Sequence, residues 1–233
     1  CAGSVADVIA AELAGADRVE LNSALPLGGL TPSIATLQLA VSKTSLPIIA
    51  MARPRPGNFC YSELEFEVLQ REIRFLAEHG VHGIAVGATD QFGNVDSVRL
   101  EKIVEVARSA SISELVYHRA IDVAPDWRVA IRQLIEIGFD RVLTSGQQPT
   151  AWQGRGCIAE MVAEFGDQIE ILAGSGIRPE IASELINETG CRQLHGSFSV
   201  LEHQFETAVA DFGGGSQTDP DLVQQMIEAV QSA

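Results

Sequence analysis

Short apolar runs alternate from one end of the chain to the other with longer stretches whose apolar positions recur every three to four residues. That alternation is the mark of βα units around a parallel sheet. Strands are predicted around 17–22, 47–53, 83–87, 114–119, 141–145, 169–174 and 193–197, with a first strand reduced to its last residue at Cys1. Helix starts are marked by Thr31 before Pro32 and by Asp219 before Pro220, each pair reading as an N-cap and first helical position. Ser62-Glu63-Leu64-Glu65 reads as a capping box. Gly213-Gly214-Gly215-Ser216 has the composition of a flexible segment, ahead of a terminal amphipathic helix over about 220–231.

Helix ends carry a repeat. Gly15-Ala-Asp17-Arg18-Val19-Glu20-Leu21 is echoed by Gly138-Phe-Asp140-Arg141-Val142-Leu143-Thr144, and weaker echoes start at Gly80 and Gly190. Each spacing leaves room for one further strand and helix, so the unit is βαβα and the natural count is eight. The expected architecture is a (β/α)8 TIM-type barrel, one domain over 1–233, with its first strand truncated. The opening Cys1-Ala2-Gly3-Ser4 reads as a start inside that strand rather than a lipid-modified cysteine, because it runs straight into a helix.

Aligning the echoes separates two faces, since strand side chains alternate with period two. Val19, Leu21, Ile84, Val86 and Val142 share an apolar phase suited to packing under helices. The other phase carries Glu20 and Asn22, Ala85 and Gly87, Ser145, and His195 with Ser197. Polar and small residues thus gather at the strands' C-terminal ends, where barrels of this class assemble their sites. Met51-Ala52-Arg53-Pro54-Arg55 and Val116-Tyr117-His118-Arg119-Ala120-Ile121-Asp122 finish two further strands at that end. Buried charges there must pair with a ligand or with each other, for instance Glu20 with Arg53 and Asp122 with Arg119. The turns Gly174-Ser175-Gly176 and His195-Gly196-Ser197 offer backbone donors for an anion. In an enzyme acting on a small anionic or phosphorylated metabolite, Arg53, Arg55 and Arg119 would clamp the anion. Glu20, His118 and Asp122 are then the candidate acids and bases. His79 and His82 flank Gly80 and are expected to complement a helix C-terminus. His203, Cys157 and Cys191 have no partner at ligand spacing, and Trp127 and Trp152 read as packing residues.

Composition narrows the partners. With 31 acidic against 16 basic residues and a formal net charge of -15, the chain repels nucleic acid and anionic membrane surfaces. No apolar run approaches the roughly 18 residues needed to span a bilayer. The 233 residues, 46% of them hydrophobic, suffice for one large core. Cys1, Cys60, Cys157 and Cys191 form no CxxC pair, so neither a zinc knuckle nor a thioredoxin-like motif is present.

Several longer motifs go together: GADRVELNSALPLGGLTPS (15–33), MARPRPGNFCYS (51–62), YHRAID (117–122), RVLTSG (141–146), LAGSGI (172–177) and LHGS (194–197). In these the chain resembles the CutC family over nearly its whole length. The resemblance implies a cytoplasmic barrel, often a homo-oligomer, whose mouth is lined by the Glu, Arg and His residues above. It also implies copper homeostasis, with Cu(I) associated in some members with two cysteines on the first two strands. Cys1 matches the first of these positions, but Asn22 stands at the second, and a hard amide does not suit a soft ion.

Overall fold

The structure, a computed structural model, describes residues 1–201 and 215–233. Gly213 and Gly214 of the glycine-rich stretch, and His203, lie outside the described residues. Seven parallel strands form one sheet in chain order: β1 (Val19–Leu21), β2 (Ile48–Met51), β3 (Gly83–Val86), β4 (Glu114–Tyr117), β5 (Arg141–Thr144), β6 (Glu170–Gly174) and β7 (Gln193–His195). Before, between and after them run α1 (Val5–Leu13), α2 (Ile34–Lys43), α3 (Glu63–Glu78), α4 (Ser97–Ser109), α5 (Trp127–Ile137), α6 (Arg155–Phe165), α7 (Pro179–Thr189) and α8 (Pro220–Gln231). The fold is of the expected (β/α)8 TIM type. Ala2 pairs in parallel with Leu21, and the Cys1 nitrogen donates to Gly196 O, so this short segment bridges β1 to the chain just beyond β7.

The two strand phases separate as the sequence predicts. Val19, Leu21, Ile84, Val86 and Val142 pack in the large core between sheet and helices. Ile49, Met51, Ala85, Val116, Leu143 and Leu172 form a second, smaller cluster on the opposite phase, which fills the inside of the curled sheet. Trp127 is buried edge-on to Phe165, and Trp152 packs partly buried against the core. No helix among the described residues is long and apolar enough to cross a membrane.

Local signals mostly hold at helix ends. Asp219 caps α8, and Ser62 with Glu65 completes the capping box of α3. Ser62→Ala should therefore cost about 1 kcal/mol in urea unfolding, with an unchanged denaturant slope. The expected cap at Thr31 is corrected. Helix α2 starts after Ser33, whose hydroxyl accepts from Thr36 N. The Thr31 hydroxyl is engaged elsewhere: it accepts from Arg53 N at 2.9 Å and donates to Glu72 at 2.7 Å, which ties the β1–α2 loop to the end of β2. His79 complements the C-terminus of α3 through Phe75 O, whereas His82 lies 3.8 Å from Glu114. A two-stranded antiparallel sheet, β8 (Ser199–Leu201) with β9 (Ser216–Thr218), has no counterpart in the sequence reading. Asp7 Oδ1 fastens it to α1 by accepting from Thr218 N at 2.6 Å.

Candidate functional site

Residues at the C-terminal ends of β1, β2, β5 and β7, and in the loops after β1, β2, β4, β6 and β7, build the wall of a cavity of about 560 Å³ at the C-terminal mouth of the barrel. Glu20, Asn22, Arg53, His118, Arg119 and His195 line it, as do Cys1, Ser175, Gly176, Gly196 and Ser197. Sequence reasoning missed Phe59, Arg178, Glu180 and Leu222, which share the wall. Phe59 stands inside the 51–62 motif and Arg178 just beyond 172–177, so proximity to those motifs was their only signal. Leu222, on α8, had none.

Glu20 and Asn22 follow one another on the inward phase at the end of β1. The Asn22 amide donates to Glu20 Oε1 at 3.0 Å, and His195 Nε2 lies 3.7 Å from the same carboxylate oxygen. Asn22 is buried, and its Oδ1 has no hydrogen-bond partner. A side chain at Gly29 would place its Cβ 2.3 Å from that oxygen, and Gly29 has φ +83°, so only glycine permits this approach.

Arg53 is buried where β2 ends, and its guanidinium serves the loops around it. Nη1 donates to Leu27 O at 3.1 Å and Gly29 O at 2.9 Å, and Nη2 to Gly57 O at 2.8 Å. Its plane lies over the Phe59 ring, and Nε is without a partner. Among the described residues no carboxylate comes within ion-pair distance of it, and burial lowers its pKa. The expected Glu20–Arg53 pair is therefore corrected: Glu20 turns to Asn22 and His195, and Arg53 turns to three carbonyls.

His118 is 3% exposed, 4.7 Å from Phe59 ring to ring, in space left by Gly87, where a Cβ would fall 2.4 Å from the imidazole Cε1. Its Nδ1 accepts from Ala120 N at 3.2 Å, and its Nε2 has no partner. Burial above all, with the Arg53 charge adding, pushes its pKa down to about 4. His195 is likewise pushed down to about 4, chiefly by burial. Both rings are neutral at pH 7. Because Nδ1 of His118 is an acceptor, the proton of the neutral ring sits on Nε2.

Asp122 and Arg119 form the other expected pair, at 2.8 Å. Asp122 also accepts from the Thr144 hydroxyl at 2.6 Å, Ser145 N at 3.0 Å, the Ser145 hydroxyl at 2.9 Å and Gln147 N at 3.2 Å. A carboxylate so saturated braces the turn after β5, and it does not line the cavity, which corrects its candidacy as an acid or base. Ser145 and Gly174 lie off the wall too. Ser145 is buried in the Asp122 brace and receives Arg119 Nη2 at 2.8 Å. Arg55 is also off the wall. It pairs with Glu65 and donates to the Asn58 and Cys60 carbonyls, so its clamp role falls. Ser175 has φ +83° and spends its hydroxyl on Pro149 O. The chain then runs into α7, whose first turn opens on the cavity without a side-chain cap.

A second cavity of about 590 Å³ lies between β1, β7 and the helices α1 and α8, sharing Glu20 and His195 with the first. On its wall Arg18 donates to Gln193 at 2.6 Å, and Arg141 pairs with Glu114.

The model of the CutC family matches residues 1–200. The family protein CutC of Treponema denticola is 45% identical over 88% of this chain and 82% of its own length. That of Xanthomonas axonopodis pv. citri is 35% identical over 100% of this chain and 98% of its own. A crystal structure of CutC from Streptococcus agalactiae, named for copper homeostasis, superposes with a TM-score of 0.73 at 30% identity, covering 78% of this chain and 89% of that one.

Proposed function

The chain belongs to the CutC family, and from that premise we propose that it takes its part in copper homeostasis through the mouth cavity, as a site for a small anion. One observation carries the reading. Arg53 and Arg178 stand on the wall with no carboxylate at ion-pair distance among the described residues, beside Arg119, whose charge Asp122 meets, and both imidazoles are neutral. Guanidinium groups without an ion-pair partner, in a chain of formal net charge -15, make a local point of attraction for an anion. The bare first turn of α7 adds backbone donors and a favourable dipole. Four cysteines that all remain unpaired support a reducing, cytosolic setting.

A resident Cu(I) ion does not fit these residues. Cys1 and Asn22 share the wall, but the Asn22 amide donates to Glu20 and its oxygen is a hard donor. Among the described residues no three His, Cys, Asp or Glu side chains are grouped to hold a metal. Competition against a tight Cu(I) chelator should strip copper from the protein, and a stoichiometric copper atom that resists the chelator and is lost on Cys1→Ser would overturn this.

Thermal unfolding in phosphate tests the anion. At ten times Kd phosphate should stabilise the wild type by about 1.4 kcal/mol, and Arg119→Ala and Arg178→Ala should each shrink that increment. Because Arg119 also braces Asp122, the quantity compared is the increment and not the starting stability. Equal increments in all three proteins would remove the site.

A further inference from the structure

We propose that the outer face of α3 is an interface on which two copies of this chain pair, α3 against α3, antiparallel across a two-fold axis. No residue of α3 lines the mouth cavity, so the pairing does not depend on the anion site.

One side of α3 is committed to the core, where Phe66, Leu69, Ile73 and Leu76 are buried. The opposite side is apolar as well. Leu64 is 76% exposed, Phe75 51% and Val68 46%. At about 100° per residue these three fall within about 40° of one another, on the side turned away from the core. No other helix among the described residues leaves more than one large apolar side chain exposed. Single exposed residues need no explanation, but three in line on one helix mark an interaction surface. Their spacing says of what kind. Positions 64, 68, 71 and 75 advance by four, three and four residues, the seam of helices that pair along their length. Arg71 stands within that seam, with its guanidinium on Glu67 at 2.6 Å and its aliphatic stem available to the stripe.

Charge on the same face identifies the partner as a second copy. Glu67 and Arg74, seven residues apart, lie on one flank of the stripe. Within the chain Glu67 goes to Arg71 and Glu63 to Arg99, whereas Arg74 has no carboxylate at ion-pair distance among the described residues. Setting two α3 helices antiparallel with Leu64 over Phe75 of the second copy brings Glu67 to Arg74 of that copy. Two-fold symmetry then makes each contact twice. A parallel pairing offers neither contact. The exposed charges of this face, Glu67, Arg71, Arg74 and Glu78, also cancel, in a chain whose formal net charge of -15 otherwise repels its own copy.

Sedimentation velocity of the full chain between about 1 and 100 µM tests the pairing. A contact built on one helix about 24 Å long is small, so the expected dimer is micromolar. Val68→Glu should leave the chain monomeric across that range with its urea midpoint unchanged, since the side chain is exposed. Glu67→Arg and Arg74→Glu each set like charges against each other at both flanks, and each should raise Kd at least about tenfold. Mixed in equal amounts, these two variants should recover the dimer, because each supplies the charge that the other lacks. Such recovery separates pairing of α3 with α3 from a loss of helix stability, which mixing could not repair. A wild type that is monomeric at about 100 µM overturns the proposal. So does a dimer that Val68→Glu leaves intact, or a pair of charge variants that stays monomeric when mixed.

Discussion

Acidification from pH 7 to pH 4 should remove about 3 kcal/mol of folding stability for each of His118 and His195. Both rings are held near pKa 4 in the folded chain, mainly by burial, against about 6.5 when unfolded. Between those values the unfolded chain binds protons that the folded one refuses, so stability rises with pH through this window and falls as the pH drops. Above about 6.5 both states are neutral and the dependence vanishes. Urea midpoints measured at half-unit steps should fall most steeply between pH 6 and 4. The slope should be roughly halved in His118→Phe. A flat profile over that range would mean that one or both rings are solvated or paired in the folded state. Glu65, which its hydrogen bond to Arg55 holds at about 2, acts mostly below this window.

Replacing Arg53 by alanine should destabilise the chain by about 3–5 kcal/mol, as expected for loss of a buried charged group and its bonds. One planar fork joins Leu27 and Gly29 of the β1–α2 loop to Gly57 of the β2–α3 loop. Its removal leaves three carbonyls short of a donor and exposes the Phe59 face. Lysine should rescue little of this, because a single ammonium cannot span acceptors on two loops. Urea unfolding reads the loss, and a midpoint within experimental error of wild type would show that the loops hold their shape unaided. Gly28 and Gly29 belong to the same device. The first has φ +86° and a Cβ there would lie 3.1 Å from Arg53 Nη1, and the second makes room for Asn22.

Arg53 also shows how far the mouth could be read in advance. A charge closing an apolar run, beside a βα loop, points to the barrel mouth from sequence alone, and the structure puts it there. Its role could not be read the same way, because backbone carbonyls carry no sequence signature. Glu20 and His118 were legible in place, and both stand on the wall of the mouth. Asp122 was legible only in place: its neighbours at the turn after β5, Thr144, Ser145 and Gln147, lie 22 to 25 residues away in sequence. Arg55 was misplaced because Glu65, ten residues on, offered a nearer carboxylate than the cavity could.

What the sequence by itself determined is the order and phase of the elements. Alternating apolar runs, capping residues such as Ser62 and Asp219, and the period-two split at Glu20, Ala85 and His195 act within a few residues of chain, so local pattern specifies them. Tertiary structure alone decided which polar groups meet. Curling the sheet brings His195 at its far end to within 3.7 Å of Glu20 near its start, and draws Leu222 of α8 to the same wall. Pairing of polar groups depends on distances between atoms of different strands and loops, to within about an ångström. A single chain's pattern places residues on a face and at an end, but it does not fix those distances.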